Sequence, residues 1–276
     1  LDRNAPHYAT DSYNDFNTFY YSAASNTSGG SSGSPVLNVQ GRAIALNAGG
    51  SEKAASSFYL PLHRVVSALE FIQKNFDRPR PSTLSSPSPS SPSPFQHPRG
   101  TDRVVWKHLT YDDLKKLGLR PETEARLRQH PDPNHPQRSG LLVVNQLVPG
   151  GPAEGKLDVG DILLQVDGAD CTTFVALEER LDAAVGKEVK FTVERGGREL
   201  RDVAVTVEDL HQLTPSVFLE AAGAVLHEIS FMQARNGNLK VRREVLISMV
   251  PVESFCSVPF FDDKKSLFQI HSSSSS

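Results

Sequence analysis

Between Asp77 and Arg99 the chain reads DRPRPSTLSSPSPSSPSPFQHPR, and this run constrains the fold more than any other feature. Proline recurs through it, removing backbone donors and fixing φ, and the intervening serines offer no apolar surface to bury. The run is expected to be an extended linker, so the apolar residues on either side must build separate cores. A chain of 276 residues has room for two modest domains of that kind. The expected boundaries are residues 1–76 for the first ordered region, 77–97 for the linker and 98–208 for the second. Residues 209–241 would begin a further unit, and 242–276 would form an irregular tail ending in serines.

The balance of 29 basic against 32 acidic side chains excludes the broad positive field that holds nucleic acid or an anionic membrane surface. Arg78, Arg80, Arg99 and Arg103 cluster only locally and read as solvated charge. Two cysteines, Cys171 and Cys256, stand in different segments, which rules out a disulfide framework and a zinc site of CxxC spacing and suits reduced, intracellular thiols. His227 and Glu228 are adjacent and do not share a helical face, so no metal site and no cofactor are expected. No apolar run approaches bilayer length, and with Leu1 first, any targeting signal is expected upstream.

Before the linker, VLNVQGRAIALNAG reads as two short strands around a Gln40-Gly41 turn, and FYLPLHRVVSALEFIQKNF as a strand end running into a helix. Val65, Val66, Leu69 and Ile72 fall on one face of that helix, which is expected to pack on the strands. After the linker, RVVWKHL, GLLVVNQLV, DILLQVDG, KEVKFTVER and ELRDVAVTVE are strand-like, while YDDLKKLGL and TFVALEERLDAAVG have helical spacing. The fold class is therefore mainly β with α, an α+β arrangement.

Two segments carry chemistry. In NTSGGSSGSPVLN, Asn26 to Asn38, a serine sits inside a glycine-rich turn that leads into an apolar strand. Attack on a peptide carbonyl needs this arrangement: glycines let the chain turn tightly, the hydroxyl stands out, and backbone N–H groups converge where an oxyanion would form. Ser28, Ser31 and Ser34 are neighbouring candidates. The sequon Asn26-Thr27-Ser28 lies against this turn and is expected to be unmodified. In GGPAEGKLDVGDILLQVDG, Gly150 to Gly168, a small-residue turn runs through Gly160-Asp161 into the alternating Ile162, Leu164 and Val166, and Gly168 closes the hairpin.

These segments carry a resemblance. The stretch from Gly30 to Pro35, G-S-S-G-S-P, resembles the G-x-S-G-x-P signature of chymotrypsin-fold serine proteases, with Ser34 where that family usually has a second glycine. The resemblance implies Ser32 as nucleophile and the backbone N–H groups of Gly30 and Ser32 as oxyanion donors. ALNAGG, Ala45 to Gly50, is similar to the specificity-pocket strand of the HtrA/Deg branch, and YLPLHRVVSALEFI to the strand and helix that close its protease domain. The segment from Gly150 to Gly168 resembles the core of a PDZ domain, a peptide-binding module. Together with PRGT, Pro98 to Thr101, these motifs look like the long fungal and plant nuclear pro-apoptotic HtrA-like family, over roughly residues 20 to 76 and 98 to 241.

The resemblance implies a partial chymotrypsin-like barrel, the C-terminal half of a trypsin-like domain, over residues 1–76, then a PDZ domain, then the start of a second PDZ-like unit in FLEAAGAVLHEISFMQARNGNLKV. It implies a serine endopeptidase with polypeptide substrates, possible homo-oligomers and a nuclear setting. His7 alone among histidines precedes Ser32, too near in sequence to be the base, and His63 falls where strand turns to helix. The chain by itself is therefore expected to lack the catalytic His and Asp and to be inactive. In the PDZ domain, Arg99, Gly100 and Thr101 would form the carboxylate loop, and Phe174 and Leu177 would line the peptide groove. Leu181 and Trp106 could face either the core or the ligand. Apolar C-terminal residues are the expected ligand preference, and a purely non-catalytic module binding C-terminal or extended peptides is the alternative reading.

Overall fold

The computed structural model describes residues 20–24, 29–51, 56–76, 96–129, 140–215, 217–221, 224–241 and 245–249. The Ser-Pro run from 77 to 95, His7 and the sequon lie outside the described residues. Two compact units are present, residues 1–98 with 173–179, and 99–172 with 180–276.

In the first unit four strands pair antiparallel in the order β1-β4-β3-β2: β1 is Tyr21–Ala23, β2 Pro35–Leu37, β3 Ala43–Ser51 and β4 Ser56–Pro61. The expected turn joins β2 to β3, and Asn38 organises it: its Oδ1 accepts from the amides of Gln40 (3.0 Å) and Arg42 (2.9 Å), while Gly41 turns at φ 75°. Helix α1, Leu62–Asn75, starts directly after Pro61. Its inward stripe differs from the expected one. Leu62, Val65, Ala68 and Phe71 are half-buried and Asn75 is buried, whereas Val66, Leu69 and Ile72 are 43%, 52% and 58% exposed. Spacings of three and four place the first set on one side, and Val66 lies about 100° further round the helix than Val65.

The second unit contains β5 (Gly100–Thr101), β6 (Val104–Thr110), α2 (Tyr111–Lys116), α3 (Pro121–Gln129), β7 (Gly140–Leu147), β8 (Ile162–Val166) and β9 (Ala169–Asp170). After α4 (Phe174–Ala183), through which the division between the units passes, come β10 (Glu188–Arg195), β11 (Arg198–Thr206) and β12 (Glu208–Asp209). The main sheet runs β11-β10-β8-β7-β6, with β9 paired to β8, and β5 pairs with β12. Strand β7 lies between β8 and β6, so GLLVV is buried as a continuous apolar run rather than alternating. Leu141, Val143, Ile162 and Leu164 pack with Tyr111 and Leu114 of α2, Leu119, and Leu127 of α3.

Helix α3 follows PETEARLRQ, a segment for which the sequence reading predicted no element. Proline stands at its first position, Glu122 and Glu124 in the first turn, and Arg126 and Arg128 in the last, an order that complements the helix dipole. The carboxylate of Glu194 on β10, fully buried, accepts from the Arg120 amide (2.5 Å) and the Thr123 hydroxyl (2.8 Å), fixing where that helix begins. Beneath the Gly160 turn, buried Asp161 meets Arg195 through Nε (2.6 Å) and Nη2 (2.7 Å), a two-point pair that ties the turn to β10.

Beyond β12, a 3-10 turn (Leu210–Leu213), β13 (Phe218–Ala221), β14 (Ala224–Glu228) and α5 (Phe231–Gly237) follow. Ser230 and Gln233 form a reciprocal capping box at the start of α5. Ile229, Phe231, Ala234 and Val241 pack against Leu213 and Val148, giving the second unit another cluster. Val245–Met249 forms β15, paired with β14, inside the stretch expected to be irregular. Its VLISM run is short but rich in strand-favouring Val and Ile.

Candidate functional site

In the first unit one residue, Asn47, ties the glycine-rich turn to β3 through both its side chain and its backbone. The Ser34 amide donates to the Ser31 carbonyl (3.1 Å), closing a turn over Ser32 and Gly33, with Gly30 at φ 92° and Gly33 at φ 82°. Those φ values suit glycine alone at low cost. Asn47 on β3, 7% exposed, carries the other half of the arrangement. Its Nδ2 donates to both the carbonyl (3.0 Å) and the hydroxyl (2.8 Å) of Ser31, its amide donates to the Ser34 carbonyl (2.9 Å), and its carbonyl accepts from the Gly33 amide (2.8 Å). The Ser31 hydroxyl is thereby engaged, while Ser32 stands exposed within the turn. Ser28 lies outside the described residues. The sequence reading did not single out Asn47; an asparagine inside an otherwise apolar strand facing a glycine-rich turn was the available signal.

Among the described residues of the second unit, β6 is the outermost strand of the main sheet and pairs there only with β7. Its other edge carries the backbone groups that could pair with an added strand. Trp106 on β6 is half-buried and its ring lies 5.9 Å from that of Phe191 on β10. Ahead of β6, Gly100 and Thr101 are buried in β5, paired with Asp209 and Glu208. Gly100 has no room for a side chain, since a Cβ would stand 2.0 Å from the Leu181 carbonyl oxygen. Arg99 lies 4.0 Å from Asp182 of α4 through its Nε. Leu177 and Leu181 on α4 are buried, and Phe174 is half-buried. Phe174 and Leu177 fall in the part of α4 that groups with the first unit, and Leu181 in the part that groups with the second.

In the turn from Thr101 to Val104, Asp102 is an addition to the expected site residues, and Arg103, expected to be solvated charge, is instead buried, at 8% exposed, and paired with Glu208. The Arg103 amide donates to Thr101 Oγ1 (3.1 Å) and the Val104 amide to Asp102 Oδ1 (3.0 Å). The other Asp102 oxygen accepts from Trp106 Nε1 at 2.9 Å. Each short side chain bonds the amide two residues ahead, so the consecutive Thr-Asp was a legible sign of a self-bonded turn. Burial dominates the Asp102 carboxyl and pushes its pKa up to about 6, against the lowering effect of these bonds. Arg103, at φ 55°, reaches back with Nη2 to Glu208 (2.9 Å) and with Nη1 to the Gly150 carbonyl (3.3 Å). Among the described residues no group of His, Cys, Asp and Glu side chains could hold a metal ion.

Comparison with known proteins shows what these features resemble. Residues 143–195, from β7 to the end of β10, match the PDZ domain model. The chain is 50% identical over 236 residues to Protease Do-like 7 of Arabidopsis thaliana, covering 86% of this chain and 20% of that protein. It is 43% identical over 248 residues to the pro-apoptotic serine protease NMA111 of Candida glabrata, covering 90% of this chain and 23% of that one. The solved HtrA-type protease AlgW with a decapeptide aligns at 18% identity and a TM-score of 0.36, over 63% of this chain and 44% of that one. The chain spans about a fifth of the length of the curated relatives it matches. By sequence it is similar to a stretch of these Do-like, pro-apoptotic serine proteases, and residues 143–195 within that stretch match a PDZ domain.

Proposed function

We propose that this chain is the peptide-gripping part of an HtrA-type serine endopeptidase, with Ser32 as the nucleophile and the amides of Gly30 and Ser32 as oxyanion donors. The observation that supports this reading is the Asn47 clamp. Asn47 engages the Ser31 hydroxyl and holds both sides of the turn, leaving Ser32 exposed at its tip, while Ser34, also exposed, closes the turn through its backbone amide. In the reaction the Ser32 oxygen attacks a peptide carbonyl carbon, its proton passes to an imidazole, and the carbonyl oxygen gains charge beside the two amides. The imidazole and the carboxylate that orients it belong, on this reading, to a β-barrel outside this chain.

A fluorophosphonate probe tests the assignment. The chain alone should stay unlabelled, and adding a polypeptide that carries a relative's His- and Asp-bearing barrel should produce labelling at Ser32 that Ser32→Ala abolishes. Labelling that persists in Ser32→Ala would overturn it.

The outer edge of β6, where no strand pairs among the described residues, favours a second activity carried by the PDZ unit itself: an extended polypeptide segment adds as a further strand along β6. Backbone amides of β6 should then gain hydrogen-exchange protection on alternate residues when peptide binds. We place this binding in an intracellular, nuclear setting, which a fluorescently tagged chain expressed in cells would test by its distribution.

A further inference from the structure

A terminal carboxylate is held in a PDZ domain by unengaged amides in the loop before the edge strand, and here that loop is filled by the chain's own oxygens. The Gly100 amide donates to Asp182 Oδ1 at 2.8 Å. The Arg103 amide is taken by Thr101 Oγ1, and the Val104 amide by Asp102 Oδ1. The nearby cations are paired as well, Arg99 with Asp182 (4.0 Å) and Arg103 with Glu208. Two of the oxygens occupying the loop amides belong to carboxylates, Asp102 and Asp182, so an arriving carboxylate meets like charge where it would need donors. Gly100 cannot shift to open the loop either, because it lies against the Leu181 carbonyl and Val207. The edge of β6, by contrast, makes no demand for a chain end.

We propose that this PDZ unit recognises internal, extended segments of a polypeptide and does not select free C-termini. The proposal rests on the reading that β6 accepts a peptide strand, and it names the class of peptide accepted. Asp182 and Asp102 are the residues that set this specificity: Asp182 closes the first amide of the loop and Asp102 the last.

The test is fluorescence anisotropy of the full chain with three labelled forms of one library of dodecapeptides bearing Val, Leu or Phe at alternate positions. One form ends in a free carboxylate, one in an amide, and one continues into a Gly-Ser extension. Equal affinities within about twofold support the proposal. A free-acid form that binds tenfold tighter or more overturns it while leaving strand addition intact, and absence of binding by all three overturns both. Asp182→Ala releases the Gly100 amide and should shift the ratio at least fivefold toward the free acid. An unchanged ratio in that variant overturns the assignment of Asp182 as the closing group.

Discussion

Asp102 offers a direct thermodynamic test of how the loop before β6 is built. Its side chain is 2% exposed and its pKa is raised from 3.8 to about 6, mainly by burial. The folded state therefore holds this proton more tightly than the unfolded chain, and between pH 4 and 6 it binds more protons at this site. Stability from Asp102 is fully present below about 3.8, falls as the pH rises through about 6, and is level above that. The difference amounts to roughly 3 kcal/mol, with a local slope approaching about 1.4 kcal/mol per pH unit. Asp102→Asn removes the titration. Its Oδ1 can still accept from the Val104 amide, but its Nδ2 would face the Trp106 Nε1 donor, at a pH-independent cost of about 1–3 kcal/mol. Urea unfolding at pH 4, 5, 6 and 7, followed by fluorescence of Trp106, the single tryptophan, reports on this unit directly. Other carboxylates titrate alike in both proteins, so the wild type should lose stability relative to the variant as the pH rises from 4 to 6. Parallel curves over that range would refute the claim that burial governs Asp102.

Three further outcomes follow from packing and charge. Gly100→Ala places a Cβ 2.0 Å from the Leu181 carbonyl oxygen and 2.8 Å from Val207 Cγ1, so it should cost about 3 kcal/mol or more in the Trp106-monitored transition; a wild-type midpoint would contradict this close approach. Asp161→Ala removes the two-point partner of Arg195 beneath the Gly160 turn, while Asp158 still pairs with that guanidinium, and should destabilise the same transition by about 1–3 kcal/mol, whereas an unchanged midpoint would show the pair to be dispensable. Burial pushes the Cys171 thiol up to about 12, so iodoacetamide at pH 8 should spare it in the native protein and modify it in urea, as read by peptide mass spectrometry. Rapid native modification of Cys171 would refute its burial.

What the sequence disclosed followed the strength of local periodicity. The alternation in DILLQV and the glycine at its turn made β8 and its hairpin plain, and VLNVQGRAIALNAG announced β2 and β3 through the Gln40-Gly41 turn. PETEARLRQ went unread because its helix buries only Thr123 and Leu127, leaving too few apolar positions to mark a face; its cues were the first-position proline and the charge order. The face of α1 was misjudged for the opposite reason. Apolar residues lie on two sides of that helix, and only tertiary contact decides which side is covered.

The same distinction separates the two candidate sites, one in each unit. The Ser32 turn was legible because glycines at defined spacing are required by its backbone. Its Asn47 support was not, because that bond joins residues sixteen apart and depends on the register of β2 against β3. In the loop before β6 the order reverses: Thr101 and Asp102 bond amides two residues away, a local chemistry that the sequence displays openly, while the third closure, Asp182 on the Gly100 amide, spans eighty-two residues. The loop of Arg99, Gly100 and Thr101, taken from its motif alone, looks open to a carboxylate. Counting the short polar side chains beside that glycine accounts for the engaged amides of Arg103 and Val104, and the proposed preference for internal segments turns on these oxygens together with that of Asp182.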